Sequence, residues 1–166
     1  MPRLALFQPD IAQNAGTLAR LCACLGVPLD IIEPAGFDVS DRNFRRAGMD
    51  YLERAAITRH DSWGVFDAWR RGRGLRLVLA ETDGAARYTD FSFGPADIIL
   101  LGRESAGVPP HVYACVDASV MIPQLPGTRS INVALAGAMI LGEALRRTAG
   151  FPTTVTPSSR MHSEHD

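Results

Sequence analysis

A chain of 166 residues holds one compact domain and is short for two, so a single unit over residues 1–150 is expected. With 46% hydrophobic residues, 21% charged residues and a net charge of −1, the sequence is not that of a disordered protein, and its charge argues neither for nor against a nucleic-acid partner. No apolar run approaches a membrane span and the opening residues form no signal peptide, so a cytoplasmic location without a membrane partner is expected.

Short apolar runs alternate with stretches of helical period. The first strand is predicted over Leu4–Phe7. After it and the Pro9 turn comes Asn14-Ala15-Gly16-Thr17-Leu18-Ala19-Arg20, opening a helix over Asn14–Leu25. That cluster sets an amide, a glycine and an arginine at a strand-to-helix corner, where open α/β sheets bind ligands. Asn14 and Arg20 are six residues apart and share no helical face unless Asn14 precedes the helix. The plainer reading is an Asn N-cap and a surface arginine. Cys22, Cys24 and Cys115 are odd in number and lack zinc-ligand spacing, so buried or half-buried thiols without a chemical role are expected.

A strand over Leu29–Ile32 follows, running into Ile31-Ile32-Glu33-Pro34-Ala35-Gly36-Phe37. Asp41, a good N-cap type, starts a helix over Asp41–Ala47 that sets Arg42, Arg45 and Arg46 on one face. Next come a strand over Ala55–Thr58 and a helix over Ser62–Arg71 capped by Ser62. Arg70, Arg71, Arg73 and Arg76 form a second basic stretch. The chain has no lysine, so each cation except histidine is a planar fork suited to bidentate phosphate contacts. Either basic stretch reads as a phosphate-tracking face or as solvated surface.

Strands over Leu75–Ala80 and Asp97–Leu101 complete the middle of the chain. The second of these leads into Leu101-Gly102-Arg103-Glu104-Ser105-Ala106-Gly107-Val108-Pro109. Gly102 and Gly107 permit a close backbone approach to a ligand, with Glu104 between them; alternatively Glu104 merely starts a helix. A last strand over Ser119–Ile122 runs into the stiff segment Ile122-Pro123-Gln124-Leu125-Pro126-Gly127-Thr128-Arg129-Ser130-Ile131-Asn132. Polar residues at the head of an apolar helix are costly unless they cap it or hold a ligand, and its free N–H groups suit an anionic group. Capping by Ser130, with Asn132 turned inward, is the alternative. The final helix, Ile131–Thr148, is apolar nearly all round through Ile131, Val133, Leu135, Met139, Ile140, Leu141 and Leu145. It is expected to be buried on several sides, at a subunit interface as well as in the core, with Ala134, Ala136, Gly137 and Ala138 admitting a neighbouring backbone. Residues 151–166 lack periodicity and read as a disordered tail.

Apolar strands alternating with helices predict an α/β fold, a mostly parallel sheet flanked by helices on both faces. There is no G-x-G-x-x-G after the first strand, no Walker A segment, no G-x-S-x-G elbow and no zinc-deaminase signature. The four histidines are isolated or near the C-terminus, so no metal site is expected.

In order along the chain, the three clusters resemble the motifs of SPOUT RNA methyltransferases: N-x-G-x-x-x-R, G-x-E-x-x-G-x-P, and I-P followed by R-S-x-N. Residues 31–37 with Arg45-Arg46-Ala47-Gly48-Met49-Asp50-Tyr51 narrow the resemblance to the compact tRNA (cytidine/uridine-2′-O) methyltransferases acting at wobble position 34. It covers roughly residues 3 to 149. The resemblance implies a C-terminal deep trefoil knot, a homodimer whose sites draw on both subunits, and S-adenosylmethionine as cofactor with S-adenosylhomocysteine as product. It implies cofactor contacts at Ala80, Gly102, Ile122 and Ser130, with Gly107 and Leu125 as further lining. It places Arg20 and Asn14 near the target nucleotide, and Glu104, Ser130 and Asn132 where they position cofactor and acceptor. The implied reaction is attack of a ribose 2′-oxygen on the sulfonium methyl. Arg20 is an orienter and phosphate clamp before it is a base, since guanidinium stays protonated. Ala134-Leu135 departs from the family pattern, where a second Ser-Asn pair is common. Alternatives are a ribosomal RNA 2′-O-methyltransferase, a catalytically silent RNA-binding dimer and an unrelated flavodoxin-like nucleotide-binding domain.

Overall fold

The computed structural model describes residues 1–38 and 40–153. Most of the expected tail therefore lies outside the described residues, and Phe151–Thr153 have no regular structure.

Seven strands form one sheet in which every pairing is parallel: β1 (Arg3–Phe7), β2 (Leu29–Ile32), β3 (Ile57–His60), β4 (Arg76–Ala80), β5 (Ala86–Arg87), β6 (Asp97–Leu101) and β7 (Ala118–Met121), in the order β3-β2-β1-β6-β4-β7-β5. The chain builds β1 to β3 outward in one direction, then crosses back to β4, and β6 later inserts between β1 and β4. This reversal creates a topological switch point, where open α/β sheets bind ligands beyond the carboxyl ends of the strands. The five residues of β6 are all buried, as a central strand covered on both faces requires.

Helices α1 (Ala12–Leu25), α2 (Arg42–Gly48) and α5 (Val133–Arg147) pack one face through Leu18, Cys22, Phe44, Ile140 and Leu141. Helices α3 (Trp63–Gly72) and α4 (Pro110–Tyr113) cover the other through Phe66 and Val112. Asp41 and Ser62 cap α2 and α3 as expected, accepting from Asn43 and Phe44 N–H and from Val65 N–H. Most element ends shift by one or two residues, four of the starts for reasons visible locally. The strand expected over Ala55–Thr58 starts at Ile57, because a 3₁₀ turn at Met49–Glu53 ends with the Arg54 and Ala55 N–H groups donating to the Tyr51 carbonyl. β4 starts after Leu75, whose N–H closes the turn on Arg70. α1 starts two residues early, so Asn14 is buried inside its first turn and is not the cap. α5 starts at Val133 with Asn132 as its cap, displacing Ser130 from that role. The two-residue β5 and four-residue α4 are too short to show a period.

The final helix is buried on its core side through Ala134, Gly137, Ile140, Leu141, Ala144 and Leu145. Leu135 is 62% exposed and Met139 42% exposed, leaving one apolar stripe uncovered. Gly137 serves the core of its own chain: a Cβ there would stand 2.8 Å from Leu101 Cδ1 and 3.0 Å from Leu18 Cδ2. The second basic stretch is engaged with partners of its own chain, though Arg71 and Arg73 are exposed. Arg70 is buried and donates to Asp67 (2.7 Å), Asp117 (2.9 Å) and the Cys115 carbonyl (2.7 Å); Arg71 pairs with Asp67, Arg76 with Asp97, and Arg73 lies over the Trp69 ring. The three cysteines are free; Cys24 is exposed, contrary to expectation, whereas burial, with the Asp30 charge adding to it, pushes the Cys22 thiol up to about 12. No helix among the described residues is long and apolar enough to cross a membrane.

One polar cluster is centred on a fully buried carboxylate. Asp30 accepts from Arg3 Nε (2.9 Å) and lies 2.8 Å from His60 Nε2, tying the first three strands together. Removing one member of a buried ion pair strands the others, so Asp30→Ala is expected to cost about 3–5 kcal/mol. Urea unfolding followed by circular dichroism should show a lower midpoint with an unchanged slope; an unchanged midpoint would mean the cluster contributes nothing.

Candidate active site

The carboxyl ends of β1, β4, β6 and β7 open into a cleft of about 570 Å³, within the range that encloses a cofactor-sized molecule. Its walls come from four segments distant in sequence. Ile11 and Asn14 follow β1, Ala80 to Asp83 follow β4, Gly102 to Glu104 and Ala106 to Val108 follow β6, and Ile122 and Gln124 follow β7; the head of α5 closes it with Ser130 to Val133, Ala136 and Ile140.

The loop after β6 is shaped by its glycines. Arg103 and Gly107 exchange backbone hydrogen bonds (2.9 and 2.8 Å), and a Cβ on Gly102 would stand 2.8 Å from the Gly107 Cα. Gly107 has a φ of +62°, which side-chain-bearing residues rarely adopt. Only glycine at both places allows this narrow bridge, and it projects Glu104 into the cleft. There the Glu104 carboxylate accepts from the Asp10 N–H (2.8 Å) and from Asn14 Nδ2 (3.4 Å). Asn14 Oδ1 in turn accepts from Asn132 Nδ2 (3.1 Å), while Asn132 Oδ1 caps α5 through the Ala134 and Leu135 N–H groups (2.8 and 3.3 Å). Those two N–H groups are therefore committed, and the head of α5 is not the open anion site that its sequence suggested. The glycine of the first motif, Gly16, has a packing role: its Cβ would meet the Phe44 carbonyl oxygen at 2.5 Å, so α1 and α2 touch backbone to backbone.

Of the residues singled out in the sequence, Asn14, Ala80, Gly102, Glu104, Gly107, Ile122, Ser130 and Asn132 converge on the cleft. Leu125 and Arg20 are not among its described lining. Leu125 lies in the stiff loop at 78% exposure. Arg20 stands almost two turns beyond Asn14 on α1, which carries it to a different face; its guanidinium contacts Met49 Sδ (3.1 Å) and lies 5.3 Å from the Tyr51 ring centre. Sequence reading missed Asp10, Glu81, Thr82 and Asp83. The only signal for them was their place just past the ends of predicted strands.

Electrostatically, the cleft is acidic. Glu81, Asp83 and Glu104 line it against the single cation Arg103 among the described lining residues. Burial at the cleft wall pushes the Glu81 carboxyl above the ordinary glutamate range, with Asp83 adding to the shift against the Ser119 and Tyr113 hydroxyls. Leu79, Ala80, Leu101, Ile122 and Ile140 supply an apolar wall beside these carboxylates. A ligand with a flat apolar part and a positive charge suits both features.

A cleft at the switch point of a parallel α/β sheet is where open sheets of this kind bind ligands. Residues 1–142 match the SpoU rRNA Methylase family, and the chain belongs to it. It is 64% identical over 153 residues to the tRNA (cytidine(34)-2′-O)-methyltransferase of Ancylobacter novellus, covering 92% of this chain and 97% of that one. A solved structure described under the 2-OH methylation of C/U34 on tRNA superposes with a TM-score of 0.85 at 38% identity, over 90% of this chain and 97% of that one. The SpoU methyltransferase AviRb from Streptomyces viridochromogenes, in complex with AdoMet, superposes with a TM-score of 0.82 at 27% identity, over 89% of this chain and 60% of that one. The family expected from the three motifs is thus borne out, and the flavodoxin-like alternative is excluded.

A carboxyl with a folded-state pKa above its unfolded value stabilises the native state while protonated and loses that contribution as pH rises through the raised value. Glu81→Gln is therefore expected to raise the Tm at neutral pH, with the gain vanishing below the ordinary glutamate range. Calorimetric scans of both proteins from acid to neutral pH check this; a gain independent of pH would remove burial of the charge as its cause.

Proposed function

We propose that this chain transfers a methyl group to the ribose 2′-hydroxyl of the wobble nucleotide, cytidine or uridine at position 34, of tRNA in the cytoplasm, using S-adenosylmethionine. The observation that carries the reading is the meeting of Asn14, Glu104 and Asn132 at one cleft whose wall is part apolar and part acidic. The similarity to relatives named for this reaction over nearly their whole length supports the same substrate.

The residues present fit the cofactor. The cleft volume is adequate, the Gly102–Gly107 bridge leaves backbone open at its floor, and carboxylates face a space that a sulfonium would enter. Ala80, Gly102, Gly107, Ile122 and Ser130 would hold it. When bound, it supplies an electrophilic methyl on a cationic sulfur. The chain's own contribution is positioning, worth roughly 7–11 kcal/mol for well-oriented groups. Asn14, Glu104 and Asn132 fix one another and orient the acceptor hydroxyl, while the apolar wall excludes water. The knot implied by the motifs belongs to this reading, as the threading that would bring the β6 loop and the head of α5 to one cleft.

Arg20 enters this reading through a homodimer. Because it faces away from the cleft of its own chain, it serves the cleft of a second copy, and the uncovered Leu135–Met139 stripe of α5 provides apolar surface for that pairing. Arg20 there clamps phosphate as a planar fork. If so, a mixture of Arg20→Ala and Asn132→Ala copies recovers methyl transfer that neither variant has alone; no recovery on subunit exchange would place Arg20 outside any shared site.

RNA docking is assigned to Arg42, Arg45 and Arg46, which are exposed together on α2. The double change Arg45→Ala with Arg46→Ala is expected to weaken tRNA binding and lower its log–log salt slope by about 0.9 for each phosphate no longer neutralised. Filter binding across a salt series checks this, and an unchanged slope removes the face from the interface. The reaction itself is tested by transfer of a labelled methyl from S-adenosylmethionine to total RNA, followed by mapping. Label at position 34 of tRNA is expected; label confined to ribosomal RNA would transfer the assignment to the ribosomal alternative, and none at all would overturn it.

A further inference from the structure

Asp10 stands two residues before α1 and reaches the loop after β6 in two opposite senses. Its backbone N–H donates to Glu104 Oε2 at 2.8 Å. Its side-chain carboxylate accepts from Arg103 (Nη2 3.1 Å, Nε 3.3 Å) and from the Ser105 N–H (3.1 Å) and hydroxyl, the two residues that flank Glu104. One residue thus grips the Glu104 carboxylate directly and holds the backbone on either side of it. Asp10 is itself braced from behind, since the Gly36 N–H donates to the Pro9 carbonyl at 2.9 Å and Gly36 packs against the Asp10 backbone.

Without the carboxylate of Asp10, no other described hydrogen bond ties Arg103 to the first corner. The Gly102–Gly107 bridge would still form, because it is made of backbone bonds between Arg103 and Gly107. The tilt of the loop about that bridge, and with it the direction of the Glu104 side chain, would then rest on the carboxylate's own bonds to the Asp10 N–H and Asn14 alone. Hydrogen bonds from the Ser105 hydroxyl and backbone, with Arg103 adding to them, hold the Asp10 carboxyl below the usual aspartate range, so the clamp stays ionised at any pH where tRNA is handled.

We propose that Asp10 is a positioning residue for Glu104, setting the direction of that carboxylate in the methyl-transfer cleft. The proposal rests on the reaction proposed above. It concerns orientation and not affinity: Asp10 lies behind the loop, outside the described cleft lining, and its action passes through Glu104.

The test is a double-mutant cycle on the full-length protein with Asp10→Asn, Glu104→Gln and both together, reading kcat and KM for tRNA, with Tm and S-adenosylmethionine binding by calorimetry alongside. Asp10→Asn keeps the shape and the backbone N–H but loses the charge that Arg103 and Ser105 grip. Expected is a fall in kcat on the order of 100-fold, as for a misplaced reacting group, with KM, Tm and cofactor Kd close to wild type. In the Glu104→Gln background the same change should cost almost nothing further, and Asp10→Glu, which restores a carboxylate, should recover part of the kcat. Independent, multiplying effects of the two substitutions would overturn the proposal. So would an unchanged kcat, or a loss of cofactor binding and Tm in step with kcat that Asp10→Glu fails to reverse. Failure of the reaction assignment is distinguishable, because the unsubstituted protein would then methylate no tRNA at all.

Discussion

A carboxylate group at the mouth of a buried parallel sheet must be met by donors, and the donors to Glu104 come from the far end of the chain. The Asp10 N–H and the Asn14 amide lie 94 and 90 residues away in sequence. Neither can reach Glu104 unless β1 and β6 are neighbours in register, which they are over Arg3–Leu6 and Ile98–Leu101. The third partner, Asn132, is brought in by α5, which approaches closely only because Gly137 presents no Cβ to Leu101 and Leu18. The polar centre of the cleft is thus a consequence of sheet order and of one small residue in a helix, and it exists only in the completed fold.

That dependence divides the arginines into two kinds. Those at the starts of strands and under the helices are consumed by internal partners: Arg3 by Asp30, Arg70 by Asp67 and Asp117, Arg76 by Asp97. Each holds a strand end or a helix end against the sheet with a bidentate or multiple contact that a lysine could not reproduce. Those on α2 remain turned outward. A run of basic residues in sequence therefore says little about nucleic acid until it is known which acids lie across the fold from them: Arg70 and Arg76 fall on one side of that distinction, Arg42, Arg45 and Arg46 on the other.

Sequence periodicity made most of the elements legible, because buried parallel strands are short apolar runs and the helices carry good caps at Asp41 and Ser62. The convergence of Asn14, Gly102, Glu104, Ile122, Ser130 and Asn132 was legible only through motif resemblance, since no local property links positions so far apart. What escaped was decided by partners in space. Asn14 reads as a helix cap by type and is instead a buried hydrogen-bonding hub; Ser130 reads as the cap of α5, yet Asn132, two residues on, takes that place. Asp10 and Glu81 carried no periodic signal, and their significance rests on Arg103 and Ser105 in one case and on desolvation in the other. Arg20 fits the motif in sequence, whereas helical geometry turns it away from the cleft of its own chain.

The departure at Ala134-Leu135, which motivated the idea of a silent RNA-binding protein, has a physical resolution. In α5 the residues that line the cleft are Val133, Ala136 and Ile140. Ala134 is buried on the core side, and the Leu135 side chain is mostly exposed on the uncovered stripe. Both residues meet the site through their backbone N–H groups, which donate to Asn132 Oδ1, and any non-proline residue can supply those donors. A Ser-Asn pair here would add side chains to the core and to the exposed stripe, not to the chemistry facing the cleft. Leu135 instead adds apolar area to the exposed stripe it shares with Met139, while leaving the hydrogen bonds among Asn14, Glu104 and Asn132 as they are.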